Sequence, residues 1–308
     1  MAMYVEPRSD TEQFLVNGRL QMVLDMETGD PDDFVTLIFL LGHPLVHLKA
    51  VTIVPGTPDQ IGFIRYALKR FNRHDIPVGV FDINAKAALS KFHLRIYKNE
   101  TIEESRDALD GSEVLLKYCD EQTILVCGGP LKNVAKAIKT GQLKLGRLVA
   151  QGGFAGDNVV PKEKRLRKFQ GRTTCPTFNL GSDYRAAKIV LDYAGIKEKY
   201  FVSKNVCHGV VYTLETHERL AWVKNHSQSL QEIYHIMSVY FQRKQEKAFH
   251  DPLAACCAID LSIGEWKDVK LYMDEETKEW GSKICNDPNV KIIIDYNQEK
   301  FLSTLFAF

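Results

Sequence analysis

The sequence predicts an α/β protein with a mostly parallel central sheet flanked by helices. Two observations carry that expectation. Short apolar runs alternate with amphipathic segments of helical period along most of the 308 residues. No repeat, low-complexity stretch or Pro/Gly/Ser-rich linker separates them, so residues 1–308 read as one domain. In sheets of this kind ligands sit beyond the carboxyl ends of the strands.

Leu20–Leu24 is a short apolar run that ends in acidic residues, and reads as the first strand. Asp32–Gly42 is helical in period, with Phe34, Leu37, Ile38 and Leu41 on one face. Val46–Val54 follows as a strand, Ile61–Phe71 as a helix and Pro77–Phe81 as a strand. Ser105–Tyr118 reads as a helix, Thr123–Cys127 as a strand, and Leu131–Thr140 as a helix. Leu148–Gln151 and Tyr200–Ser203 are strands on either side of the helix Tyr184–Tyr193. Two or three helices fill Leu214 to about Ile263, and Val269–Met273 and Val290–Ile294 close the pattern as strands. The strand-end rule places the chemistry directly after Leu24, Val54, Cys127 and Gln151.

A net charge of +1 gives the whole molecule no pull toward a nucleic-acid polymer or an anionic membrane, so the expected partner is a small molecule. No stretch approaches the roughly 20 apolar residues of a membrane span. Met1–Gln21 carries three acidic residues and no apolar core segment, unlike a signal peptide. The seven cysteines lack paired zinc spacing and read as buried reduced thiols, which points to the cytoplasm.

The strongest local signal is Asp25-Met26-Glu27-Thr28-Gly29-Asp30-Pro31-Asp32-Asp33, where five of nine residues are acidic. Like charges on one strand-to-helix turn repel unless something positive neutralises them. A hard divalent cation with several oxygen ligands does so. Helix capping and a solvated turn account for one or two of these acids, but poorly for five. A Mg²⁺-dependent phosphatase site is the other chemistry that an aspartate-rich loop after a first strand supports.

The segment resembles the signature D-x-D-P-G-x-D-D of nucleoside hydrolases, with Asp25, Gly29, Asp32 and Asp33 matching. Glu27 takes the second Asp position, Thr28 replaces Pro, and the turn is one residue longer. Further blocks follow in the family's order. Gly129-Pro130-Leu131-Lys132-Asn133-Val134-Ala135 resembles G-P-L-T-N-[IL]-A, and Gly152-Gly153-Phe154 with Asp157-Asn158 resembles G-G…G-N. Thr177-Phe178-Asn179, with Asp183 and Ala186-Ala187, resembles E-F-N…D-P-E-A-A. His250-Asp251-Pro252-Leu253-Ala254 resembles H-D-P-L-A. Alone, His-Asp-Pro would be ordinary helix-capping chemistry; five ordered blocks over most of Arg19–Asp260 are far more specific.

The resemblance implies a Rossmann-like open sheet, bound Ca²⁺, hydrolysis of a ribosidic C–N bond, and a homodimer or homotetramer. It implies metal ligation by Glu27, Asp33, Asp251 and the backbone carbonyl of Lys132. Glu27 would activate water, Asp32 would hold ribose hydroxyls or face the metal's water, and Asp25 would support the cluster from behind. Asn158 and Asn179 would hydrogen-bond the sugar, beside Thr177, Phe178 and Thr57, and His250 would be the acid for the leaving base. Tyr234, Tyr240, Phe241 and Phe249 are candidates for base stacking or for core. Three departures stand out: Glu27 for Asp, Thr57 for Asn, and Thr177 for the Glu that binds the 5′ hydroxyl. The basic segment 161–172 is long for the family and reads either as a solvated loop or as a source of Arg165 and Arg167 for an anionic group beyond the 5′ carbon. The departures also keep open a binding or sensing homologue without turnover.

Overall fold

The computed structural model describes residues 9–308; the expectation placed on Met1–Gln21 lies partly outside them, in residues 1–8. The strands are β1 (Leu15–Val16), β2 (Arg19–Met26), β3 (Val46–Ile53), β4 (Val78–Val80), β5 (Leu109–Asp110), β6 (Ile124–Cys127), β7 (Leu145–Gln151), β8 (Thr174–Cys175), β9 (Ile196–Val202), β10 (Val211–Tyr212), β11 (Lys247–Ala248), β12 (Gly264–Met273), β13 (Trp280–Lys283) and β14 (Val290–Tyr296). The main sheet runs β5-β4-β3-β2-β6-β7-β9-β14-β12-β13-β8, and β1 pairs with β2. Pairing is parallel from β5 through β14 and antiparallel beyond it. This is the mostly parallel, helix-flanked sheet that the sequence predicts.

The order explains where a ligand can bind. From β2 the chain winds outward through β3, β4 and β5, then returns to β6 on the other side of β2. Successive connections therefore part at the β2–β6 boundary, and parting loops leave a crevice at the strands' carboxyl ends. The sheet also divides the core. One face buries Phe34, Leu37, Phe63, Ile236 and Leu253, and the other buries Val23, Val134, Leu148, Val190 and Ile292. Strand β2 is buried from Leu20 to Met26, as a strand covered on both faces must be.

The helix His250–Ile259 needs the most apolar surroundings. Every residue from Asp251 to Ile259 is buried, so it has no solvent face. It packs against the helices Pro31–Gly42 and Gln298–Leu305 and against β6, β7 and β9. That packing fixes its first turn at the crevice. The aromatic candidates near it are core: Phe249 stacks on Tyr212 at 4.7 Å, Tyr234 on His217 at 4.2 Å, Phe241 on Tyr212 at 5.9 Å, and Tyr240 meets Phe92 edge-on at 5.5 Å.

Some boundaries differ from the sequence expectation. The helix expected from Ser105 begins at Gly111, where the Asp110 carboxylate accepts from Ser112 N at 2.9 Å. Upstream, the Arg65 guanidinium holds Asp107 O and Ser105 N donates to Pro58 O, tying the segment into an irregular path. Gly111 is required there: a Cβ would lie 2.2 Å from Asn133 Oδ1. β8, β13 and the helix Gln298–Leu305 were not expected; the two strands find partners only across the antiparallel end of the sheet. All seven cysteines are free and six are buried. Among the described residues no helix is long and apolar enough to cross a membrane.

Leu253 is fully buried in the helix that carries His250 and Asp251. Leu253→Ala should lower the unfolding free energy by about 2–5 kcal/mol. Urea denaturation checks this, and a loss well under 1 kcal/mol would contradict the packing described.

Candidate active site

Strand β2 delivers the acidic turn to the crevice. Pro31 occupies the first position of the helix Pro31–Gly42, where its missing N–H costs nothing, and acids follow in the first turn, where the helix dipole favours them. Asp33 Oδ2 accepts from Asp30 N at 2.9 Å, which closes the turn. Behind it, Asp25 is fully buried and accepts from Thr52 Oγ1 at 2.6 Å and Asn133 Nδ2 at 2.9 Å. Burial pushes its carboxyl up to about 6, against those two donors.

Asp32 joins the two ends of the site. Its Oδ2 accepts from His250 N at 2.9 Å and from Asp251 N at 3.3 Å. The late helix has no capping side chain of its own at Phe249, so an acid from the first turn of another helix caps it. Lys247, only 5% exposed, places Nζ 2.8 Å from Asp32 Oδ1 and 3.0 Å from Asp30 Oδ1, and donates to Ala248 O at 2.8 Å. The ammonium is thus ion-paired to two carboxylates and hydrogen-bonded to one carbonyl. Burial works to raise Asp32, but Lys247 and then His250 outweigh it and hold the carboxyl below its ordinary value. Burial works to lower Lys247, and Asp32 and Asp30 together push it up instead.

Asp33 and Asp251 face one another without such a cation. Their carboxyls lie close together, and both are raised well above the ordinary range, chiefly by burial and then by neighbouring carboxylates. Asp33 Oδ1 is buried with no hydrogen-bond partner. Gly128 makes room for the pair, since a Cβ there would lie 2.8 Å from the Asp251 carboxyl carbon. Glu27 is pushed up to about 7 by burial, then by Asp30 and Asp32. Buried all-oxygen donors, one of them unpartnered, suit a hard divalent cation.

Donor atoms also gather within 4.8 Å in two other sets, Asp30 with Asp32 and His250, and Cys207 with His208 and His250. Lys247 already neutralises the first. In the second, burial pushes the Cys207 thiol up to about 12, and a protonated thiol is a poor ligand. His250 has Nδ1 3.9 Å from Asp32 Oδ2 and a buried, unpartnered Nε2. Burial, the largest influence on its ring, lowers its pKa although Asp32 opposes the shift. The ring of His208 lies 4.6 Å from that of His250, and its Nδ1 is 2.6 Å from Lys168 Nζ. Burial, then His250 and Lys168, push His208 down to about 3.

The carboxylates of the turn, Asp251, Gly128, His208 and His250 line a cleft of about 470 Å³ with Gly29, Gln151, Thr177, Phe178, Asn179 and Lys204. Asn179 Nδ2 bridges Gly128 O, Gln151 O and Gln151 Oε1 at 3.0, 3.1 and 2.7 Å, tying together the ends of β6 and β7. Phe178 is 68% exposed at the cleft. Glu27, Asp32, Asp33, Thr177, Phe178, Asn179, His250 and Asp251 are thus brought together.

Five candidates do not line this cleft. Thr57 caps the helix Pro58–Arg70, its hydroxyl on Asp59 and its N–H on Gln60 Oε1 at 2.9 Å. The Lys132 side chain lies over Phe81, 5.4 Å from the ring centre. Asn158 donates to Ser282 O at 2.6 Å. Arg165 is held inside its own loop, by Val160 O at 2.9 Å, Asp157 O at 2.7 Å and the Asp157 carboxylate at 3.3 Å. Arg167 is exposed on that loop. The sequence reading passed over Lys247, His208, Gln151 and Lys204. Lys247 stands in the mixed-charge run Arg243-Lys244-Gln245-Glu246-Lys247, and neither it nor the others carried a distinguishing signal.

Fold and cleft define an α/β protein with a polyacidic, cation-ready centre at a sheet switch point. Residues 22–303 match the model of the inosine-uridine preferring nucleoside hydrolase family. The chain belongs to that family and is an N-glycoside hydrolase of ribonucleosides. It is 28% identical to an uncharacterized protein of Aquifex aeolicus (strain VF5) over 295 residues, 91% of this chain and 96% of the relative. It is 25% identical to the pyrimidine-specific ribonucleoside hydrolase RihA of Enterobacter sp. (strain 638) over 322 residues, 93% of this chain and 96% of that one. The solved structure of an inosine-guanosine nucleoside hydrolase superposes with a TM-score of 0.69 at 18% identity, covering 92% of this chain and 97% of that one, and so shares the fold.

Lys247→Met would leave the buried Asp32 carboxylate beside the half-exposed Asp30 without their ammonium. The expected loss of stability is about 3–5 kcal/mol, read by chemical denaturation; Lys247→Arg should recover part of it.

Proposed function

We propose that the protein hydrolyses the N-glycosidic bond of a ribonucleoside, or of a 5′-substituted N-riboside, with the help of Ca²⁺, releasing the base and the ribose moiety. The observation that carries this reading is the buried Asp33–Asp251 pair with its unpartnered Asp33 oxygen. Glu27, Asp33 and Asp251 would hold the cation, with the backbone carbonyl of Lys132. When bound there, the cation supplies an activated, positioned water and a positive counter-charge.

Every other task falls to side chains. Glu27, pushed up to about 7, accepts a proton near neutral pH. Asp32, ionised by Lys247, and the amide oxygen of Asn179 accept from sugar hydroxyls and stabilise positive charge growing on the ribose. Thr177 adds a hydroxyl and Phe178 an apolar wall at the mouth. The unpartnered Nε2 of His250 serves the departing base. Thr57, Asn158 and Arg165 act through the helix and loops that they anchor. The chain works as a single cytoplasmic domain within a homodimer or homotetramer, and Trp222, 85% exposed, with Leu214, 53% exposed, gives that assembly apolar surface to bury.

With calcium, inosine or uridine should yield free base by chromatography, and Glu27→Gln should lower kcat by about 10²–10⁴-fold. Stabilisation by nucleosides without any base release would identify a binding homologue instead. Acids raised by folding stabilise the folded state below about pH 4 and lose that contribution as pH rises through their raised values. The cation-free protein should therefore lose stability toward pH 8. Calcium must displace protons, so its thermal stabilisation should be larger at pH 8 than at pH 5.5, with proton release seen by calorimetry. A pH-independent effect would place the ion elsewhere.

A further inference from the structure

The cleft keeps its charges apart. Its acids come from the turn after β2 and from Asp251. Its lining cation comes from the end of β9, where Lys204 opens the helix Lys204–Cys207 and the neutral His208 follows it. Two strands, β6 and β7, separate β2 from β9. At a ladder spacing of about 4.8 Å, the two backbones stand ~14 Å apart, a length that a riboside with a charged substituent can span.

Lys204 has no carboxylate partner among the described residues. Its Nζ donates to Pro176 O at 2.7 Å and meets the Cys175 thiol, which leaves an ammonium N–H for the cleft that Lys204 lines. The next residue, Thr177, lines the same cleft, is 6% exposed, and has a buried Oγ1 with no hydrogen-bond partner. Leaving a buried hydroxyl unpaired costs about 1–3 kcal/mol, so its placement asks for a ligand atom. Lys168, from the basic segment, adds a second cation through His208 Nδ1 at 2.6 Å.

We propose that Lys204 and Thr177, backed by the Lys168–His208 pair, form an anion subsite, which makes the preferred substrate an N-riboside carrying a phosphate or a carboxylate. The proposal rests on the ribohydrolase reading and narrows its substrate class. The anion stands either on the sugar or on the base, and both place charge-assisted hydrogen bonds on an otherwise unpaired ammonium.

The test uses the full-length, calcium-loaded protein and equilibrium binding. Ribose 5-phosphate is compared with ribose, and a carboxylated pyrimidine with the same pyrimidine lacking the carboxylate. One anionic member should bind about 10–100-fold more tightly than its neutral partner, and which pair shows it locates the charge. Lys204→Ala should reduce that ratio to within about 3-fold, and Lys204→Arg should retain most of it. Equal binding within both pairs overturns the subsite, as does a preference unchanged by Lys204→Ala. Base release from inosine and uridine is measured alongside. Release without anion preference sinks the subsite alone, whereas anion preference without release from any riboside sinks the hydrolase reading and leaves the subsite standing.

Discussion

Two backbone N–H groups donate to one oxygen of Asp32, and the rest of the site hangs on that contact. It connects positions 218 and 219 residues apart in the chain. The late helix is buried on all sides, so its first N–H groups cannot turn to water. An acceptor inside the protein must meet them. Because that acceptor sits on the acidic turn, capping the helix also brings Asp251 against Asp33 and sets His250 over the cleft. One capping interaction thus does the positional work for the whole centre.

The contact is sustainable only because Lys247 accompanies it. A carboxylate that is 1% exposed, among four other acids, would be pushed toward its neutral form by burial and repulsion. The ammonium between Asp30 and Asp32 keeps Asp32 charged, and a charged acceptor is the stronger helix cap. The acidic cluster therefore divides in two. Asp30 and Asp32 are neutralised by the protein itself. Glu27, Asp33 and Asp251 are not, and burial and like charge raise all three. Strain of this kind is expected at a functional site, where the local preference for stability yields to the chemistry required. The internal cation also answers part of the repulsion that the sequence assigns wholly to a metal.

The sheet order supplies the remaining geometry. Because the chain turns back at β2, loops after β2, β6, β7 and β9 open onto one crevice, and each contributes to the cleft lining. Asn179 stitches two of these ends together through three acceptors. The segment 161–172 meets the same region, but through Lys168 rather than Arg165 or Arg167. A guanidinium so close to the carbonyls of its own loop finds them first, while the adjacent lysine is free to reach His208.

The sequence alone determined the alternation of elements, the position of the cleft at strand ends, and the acids that line it, because hydrophobic period and like-charge crowding are local properties. Motif order pointed to the family, since five spaced blocks constrain one another. What only the tertiary structure decided was which of those residues converge. Thr57 caps a helix and Asn158 braces a carbonyl, because local acceptors lie nearer than the cleft. Lys247 and His208 enter the site from segments with no distinguishing pattern. Their roles arise from burial beside particular charges, and burial is a property of the assembled fold, not of any stretch of chain.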